Sequence, residues 1–176
     1  MDCIDYKTTL KPDGSPIVHQ RPDIVQIRGN DMAKQHEKQS DLDREDRAIR
    51  VFCRWSKSEY IKLPVQYRAD YIVFRGKTVV AVVEVKGRSA EFGKYDEVFI
   101  ASHKCAEVLM YASVMNVPAY VVYTHPNGIY YLDMRKPITR SSMMQDSRNR
   151  DDRDFEPVVW WKRSDCECIT KSGEFY

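Results

Sequence analysis

The chain has 176 residues, 43% of them hydrophobic and 31% charged, which is enough length and apolar material for one domain with a core that needs no disulfide or structural metal. Twenty-eight Lys and Arg against twenty-six Asp and Glu leave a formal charge of +2. That balance excludes a protein that coats nucleic acid through its global field, so any nucleic-acid partner has to be held by a local patch.

The N-terminus, Met1-Asp2-Cys3-Ile4-Asp5, shows no basic segment leading into an apolar stretch, so no signal peptide is expected. Residues 1–31 hold Pro12, Gly14, Pro16, Pro22 and Gly29 without a sustained period and read as an irregular N-terminal arm. From about Gln39 to Ser56 the pattern turns helical, with Leu42, Ile49, Phe52 and Cys53 on one stripe. Glu45 and Asp46 fall on that same stripe, where a carboxylate calls for a partner beneath it.

Three strand-like runs follow. Tyr60–Tyr67 contains Pro64, which has no amide hydrogen and marks an edge strand. Tyr71–Phe74 and Thr78–Val85 flank Arg75-Gly76-Lys77, a hairpin signal. The densest apolar run in the chain, Val79 to Val83, lies here. It is far shorter than the roughly 20 residues of a membrane span, and a cytoplasmic protein with no membrane contact is expected. After a polar loop, Gly87–Asp96, a second helix is expected from about Ser102 to Asn116, ended by Pro118. Ala119–Thr124 and Ile129–Leu132 bracket the turn His125-Pro126-Asn127-Gly128. Helix, three strands, helix, strands describes an α/β sandwich in which the strands on either side of the second helix run parallel. Residues 139–154, with Arg140, Arg148, Arg150 and Arg153 among four aspartates, read as a mobile charged insertion. Pro157–Trp161 is expected to be the final strand, with Trp160 and Trp161 as packing residues. The five scattered cysteines, Cys3, Cys53, Cys105, Cys166 and Cys168, read as reduced thiols. Cys166-x-Cys168 lacks a second Cys/His pair at finger spacing.

The chemistry concentrates in Arg68-Ala69-Asp70-Tyr71-Ile72-Val73 and Thr78 to Arg88. Alternation puts Val79, Ala81, Val83 and Val85 on one face of the second strand, and Val80, Val82, Glu84 and Lys86 on the other. A carboxylate and an ammonium at the end of a strand apolar on both faces are unfavourable unless they meet a ligand or each other. A salt bridge at a strand end is the plain structural reading. Asp70 joins them only if the hairpin register is even. With Arg75-Gly76-Lys77 as a three-residue loop, Phe74 pairs with Thr78 and Asp70 stands opposite Val82, on the face of Glu84. A two-residue loop turns Asp70 away unless a bulge restores the register. The odd loop or the bulge is expected.

An aspartate, a glutamate fourteen residues on and a lysine two beyond it, carried on a hairpin, resemble the PD-(D/E)XK nuclease superfamily over about residues 40–135. The position before Asp70 is Ala69 rather than the proline of the motif's name. The segment Phe99–Lys104 and the helix after it further resemble small phage nucleases of this type, and Glu45 matches the acidic residue that Holliday-junction-resolvase-like members place on their first helix.

The resemblance implies an α/β, restriction-endonuclease-like core, a mixed central sheet flanked by helices in the order αβββαβ. It implies a metal-dependent DNA endonuclease, with action on junction or branched DNA in recombination, and a homodimer, as the structure-selective form. Asp70 and Glu84 are the expected metal ligands, the Val85 carbonyl a third, and Glu45 a further one, directly, through water or on a second ion. Two carboxylates form a hard oxygen site suited to Mg²⁺ or Mn²⁺, and such an ion activates water and neutralises a phosphate. Lys86 is expected to position or help deprotonate the attacking water. Arg75, Lys77, Arg88 and Lys94 form a candidate phosphate-contacting rim, and Lys104 is either a further phosphate contact or a lysine snorkelling from the second helix. His103 reads as an ordinary helix N-terminal residue. The rival readings are a DNA exonuclease of the same fold, a non-catalytic nucleic-acid-binding module, and a zinc-dependent regulator using Cys166 and Cys168.

Overall fold

The computed structural model describes residues 39–64, 67, 69–145 and 155–171. The chain divides into two units, Met1–His36 and Glu37–Tyr176, and all described residues belong to the second. The N-terminal arm and residues 146–154 of the expected insertion lie outside the described residues.

Helix α1 spans Gln39–Ser56, as its apolar stripe indicates, and Ala48, Ile49, Phe52 and Cys53 are buried. Arg75 donates to the Ser56 carbonyl at 2.9 Å and to the Lys57 carbonyl at 3.4 Å, satisfying acceptors that the helix end leaves open. The strands are β1 (Glu59–Lys62), β2 (Tyr71–Arg75), β3 (Thr78–Gly87) and β4 (Glu97–Ala101). Helix α2 (Ser102–Met115) follows and stops at Asn116, which takes the left-handed conformation just ahead of Pro118. Then come β5 (Ala119–His125), β6 (Gly128–Asp133), β7 (Arg140–Gln145), β8 (Phe155–Lys162) and β9 (Cys166–Lys171).

Six strands form the central sheet in the order β1-β2-β3-β5-β6-β9. It is mixed: β3 and β5 are parallel, and the other neighbours are antiparallel. The parallel pair lies across α2, as connecting two parallel strands through a helix requires. Helix α1 packs with Tyr71, Val73, Ala81, Val83, Val85, Val122 and Ile129 on one face. On the other face Val82, Val121, Tyr123 and Leu132 pack with Cys105, Val108 and Ala112 of α2 and with Val98, Ile100 and Trp161. Strand β3 is therefore covered on both sides, which is why it reads as a run of valines.

The structure decides three expectations: the hairpin takes its bulged alternative, and two others are corrected. The β2–β3 turn has two residues, Gly76 and Lys77, with Arg75 opposite Thr78 and Phe74 opposite Val79 rather than Thr78. Gly76 adopts φ +60° at the first central position, where such a turn wants a glycine. A bulge then shifts the register so that Val73 faces Ala81 and Tyr71 faces Val83. Val80 is the extra residue, and it packs with the α1-side cluster instead of beside Val82. The bulge restores the even register, one step beyond which Asp70 comes alongside Glu84 rather than Val82.

Second, the final strand is not 157–161. Strand β8 is the middle of a separate three-stranded sheet, β4-β8-β7, and the last strand among the described residues is β9, beside β6. Cys166 and Cys168 are residues of that strand. Third, part of the expected insertion is ordered: Arg140–Gln145 form β7. Its weak apolar pattern reflects an edge strand held through its ladder to β8 and through polar contacts. The Arg140 guanidinium bonds Glu97 at 2.8 and 3.0 Å, and Trp160 Nε1 donates to Ser142 Oγ at 2.8 Å. Strand β4, unassigned in the sequence reading, alternates buried and half-buried residues along five positions. No helix among the described residues is long and apolar enough to cross a membrane.

Ile49 has no exposed surface on α1, whereas Ile61 on edge strand β1 is 57% exposed. Ile49→Ala is expected to lower unfolding free energy by roughly 2–5 kcal/mol. Ile61→Ala should change it by no more than about 0.5 kcal/mol. Urea midpoints at constant slope check both.

Candidate active site

Strand β3 brings its charged end to the middle of the sheet, between β2 and β5. Glu84 has no exposed surface and is the one fully buried charged residue among the described residues. Asp70, just before β2, is fixed by an unusual donor: the Val85 amide gives a hydrogen bond of 2.8 Å to its Oδ2. The Val85 N–H thus faces the β2 side, and in an extended strand the carbonyl of the same residue faces the same way. Tyr71 and Val83 pack on the α1 face, so Asp70 and Glu84, one step along each strand, belong to the α2 face.

Two ammonium groups close on this pair. Lys86 Nζ lies 2.9 Å from Glu84 Oε1. Lys104, from the first turn of α2, places Nζ 3.3 Å from Oε1 and 3.4 Å from Oε2 of Glu84, and 3.6 Å from Asp70 Oδ1. Despite these charges Oε1 is buried without a well-directed hydrogen-bond donor. Burial, and then the Asp70 charge, push the Glu84 pKa up to about 7 against the pull of Lys86 and Lys104. Burial works against the Lys104 ammonium, but Glu84 and Asp70 outweigh it and its pKa is raised.

Asp70, Glu84, Val85, Lys86 and Lys104 therefore meet at one place, and the other sequence candidates do not. Glu45 sits on α1, which covers the opposite face; its Oε2 is 3.6 Å from Lys62 Nζ, and its charge helps raise the pKa of the Tyr71 hydroxyl, after burial. Among the described residues no three His, Cys, Asp or Glu side chains cluster closely enough to hold a metal. Arg75 is engaged at the end of α1, and Lys77 is in the hairpin turn. From Thr78 to Glu84 a strand runs roughly 20 Å, so neither rims the site.

Arg88 follows Lys86 on the same face but turns inward. Its guanidinium stacks 4.2 Å over the Phe99 ring and donates to the Phe99 carbonyl, and burial lowers its pKa. It ties β3 to β4 instead of reaching outward. His103 is 3.3 Å from Glu156. Trp161 is buried and donates to the Lys136 carbonyl, and Trp160 packs on Phe99.

Arg44 was missed in the sequence. Its guanidinium lies against Gly87, where an added Cβ would stand 3.0 Å from Nη1. The signal was present, since Arg44 precedes Glu45 on α1, but only the acids drew notice. The loop after β3 is pinned to the β5–β6 hairpin. Phe92 and Asn127 exchange two hydrogen bonds of 2.7 and 2.9 Å, and Phe92 stacks on Tyr130 at 3.6 Å.

The raised Glu84 pKa sets a pH dependence. The folded protein keeps a proton up to about 7 that the unfolded chain releases near 4.5. The resulting stabilisation is complete below 4.5 and is lost as pH rises through 7. In the presence of a chelator, unfolding free energy should fall between about pH 4.5 and 7 by up to about 3 kcal/mol. Glu84→Gln should flatten that slope, as urea titrations across the range will show.

The family described as "Phage putative PDDEXK endonuclease" has a model that matches residues 32–169. No curated protein matches the chain. Among solved structures, a Holliday junction resolvase from the archaeal hyperthermophile Archaeoglobus fulgidus is similar, with a TM-score of 0.47 and 15% identity over 69% of this chain and 84% of that one. The family match spans more than half of the sequence and takes in both helices and the carboxylate pair, and on that ground the chain belongs to the phage PDDEXK endonuclease family of nucleases.

Proposed function

We propose that this nuclease is a divalent-cation-dependent DNA endonuclease whose active site is Asp70, Glu84, Val85, Lys86 and Lys104. One observation carries the reading: a wholly buried glutamate lies beside a second carboxylate and a lysine at the end of a central strand. A structural salt bridge has no need of such a place, since an apolar pair of the same volume would be as stable or more so.

The donors fit Mg²⁺ or Mn²⁺. Glu84 Oε1 has no well-directed donor, Asp70 presents Oδ1 while Oδ2 is held by an amide, and the Val85 carbonyl faces the same side. All are hard oxygens. A bound cation there would supply charge neutralisation for the phosphate and a more acidic water. The chain's own groups do the rest. The Val85 amide fixes the Asp70 carboxylate, burial fixes Glu84, and the Lys86 ammonium, anchored 2.9 Å from Glu84, orients the attacking water and offsets negative charge as the phosphorus becomes five-coordinate. Arg44, on the α1 side of Gly87, is the nearby cation placed to meet the DNA backbone.

Linear, nicked, single-stranded and four-way-junction DNA incubated with Mg²⁺ or Mn²⁺ test the proposal. Internal cleavage that needs the ion is expected, and Glu84→Ala and Lys86→Ala should each reduce it by about 100-fold or more. Lys77→Ala, at the far tip of the hairpin, should stay near wild type. Release of terminal nucleotides only would assign an exonuclease. Tight DNA binding with no cleavage of any substrate would leave a non-catalytic binding module. Preference for the junction substrate, together with a dimeric mass in solution, would establish the structure-selective form.

A further inference from the structure

The two lysines at the carboxylate pair are placed differently. Lys86 Nζ approaches Glu84, whereas the Lys104 ammonium is shared, lying 3.3 Å from Glu84 and 3.6 Å from Asp70. Lys104 sits in the first turn of α2, where the positive end of the helix dipole opposes a cation. That turn has no acidic residue, and Ala101 at its cap makes no side-chain hydrogen bond. The cap and first turn of the helix do not favour a lysine here, and the two acids across the layer offset its cost.

Resting on the cation-site reading above, we propose that in the metal-free protein the Lys104 ammonium occupies the place that a divalent cation shared by Asp70 and Glu84 takes, and that cation entry displaces it outward to the scissile phosphate. The Lys104 side chain is 23% exposed while Glu84 is fully buried, so the lysine already reaches solvent from beside the acid. The charges agree. With Glu84 ionised, two carboxylates and two ammoniums cancel in the metal-free site. Adding a divalent cation and keeping both lysines brings the site to +2, which complements the two negative charges present when hydroxide adds to a phosphodiester monoanion. Lys104 thus acts as a resident counter-ion before the cation arrives and as a phosphate contact afterwards.

The test uses the whole chain and Mn²⁺, with the free ion followed by its paramagnetic resonance signal. Lys104→Met should bind Mn²⁺ about tenfold more tightly than wild type. Loss of a nearby positive charge tightens binding by itself, so Lys86→Met is measured alongside and should show a smaller gain. In the wild-type protein, acetylation of Lys104 Nζ by limiting acetic anhydride, read by peptide mass, should rise on adding Mn²⁺ and should not rise in Asp70→Asn. This second readout needs no Lys104 variant. Equal Mn²⁺ affinity in wild type and Lys104→Met, equal gains in the two lysine variants, or labelling unchanged by Mn²⁺ would each overturn the proposal and leave the cation site standing. Mn²⁺ binding by none of the proteins would overturn the cation site as well.

Discussion

The structure is organised around a carboxylate that has no contact with water. Glu84 lies on the central strand of a six-stranded sheet, beneath α2 and between β2 and β5. Removing a charge from water is among the least favourable changes a fold can make. The surroundings answer it with two ammoniums from different elements, β3 and α2, and with a second acid whose position is set by a backbone amide. Such an arrangement is poor as a device for stability and good as a place for charge to be handled, because interactions in a low-dielectric site are strong and already oriented.

The layers follow from that requirement. Strand β3 must be flanked on both faces so that its charged end is dry. Helix α1 covers one face through Ile49, Phe52 and Cys53. On the other, α2 and the small sheet share the cover, with Trp161 and Ile100 filling the space beside Tyr123. The small sheet also fixes the exit of the strand, since Arg88 leaves β3 and stacks on Phe99, which packs in turn against Trp160. Strand β3 carries Glu84 and Lys86 and helix α2 carries Lys104, while Asp70 ends the loop ahead of β2 and is held by the Val85 amide.

Much of this was legible in the residues. The limits of α1, the hairpin, the parallel pair across α2 and the even register of Asp70 and Glu84 all follow from periodicity, turn residues and the awkwardness of a buried acid. The rest was hidden for physical reasons. A bulge at Val80 and a two-residue turn produce the same parity as a three-residue turn, so the parity could be read but not the route to it. Strand β4 is short and its Val98-Phe99-Ile100 run is apolar on both faces, and β7 is an edge held by polar contacts, so neither shows a strong polar-apolar alternation in its residues. Glu45 shared a helical stripe with buried residues, yet that stripe meets the face of the sheet opposite Glu84. Arg88 looked like a surface cation because sequence does not show that Phe99 waits above it. Motif spacing identified the acids, while the partners of each cation depended on which layer packed where.

The central claim is that Asp70, Glu84 and the Val85 carbonyl together hold a divalent cation. A crystal of the protein grown with Mn²⁺ and measured for anomalous scattering tests it most directly. A single strong peak bound by those three groups is expected, with the Lys104 ammonium moved away from both acids. Crystals in millimolar Mn²⁺ that show no peak there, with Lys104 still bridging Asp70 and Glu84, would contradict it.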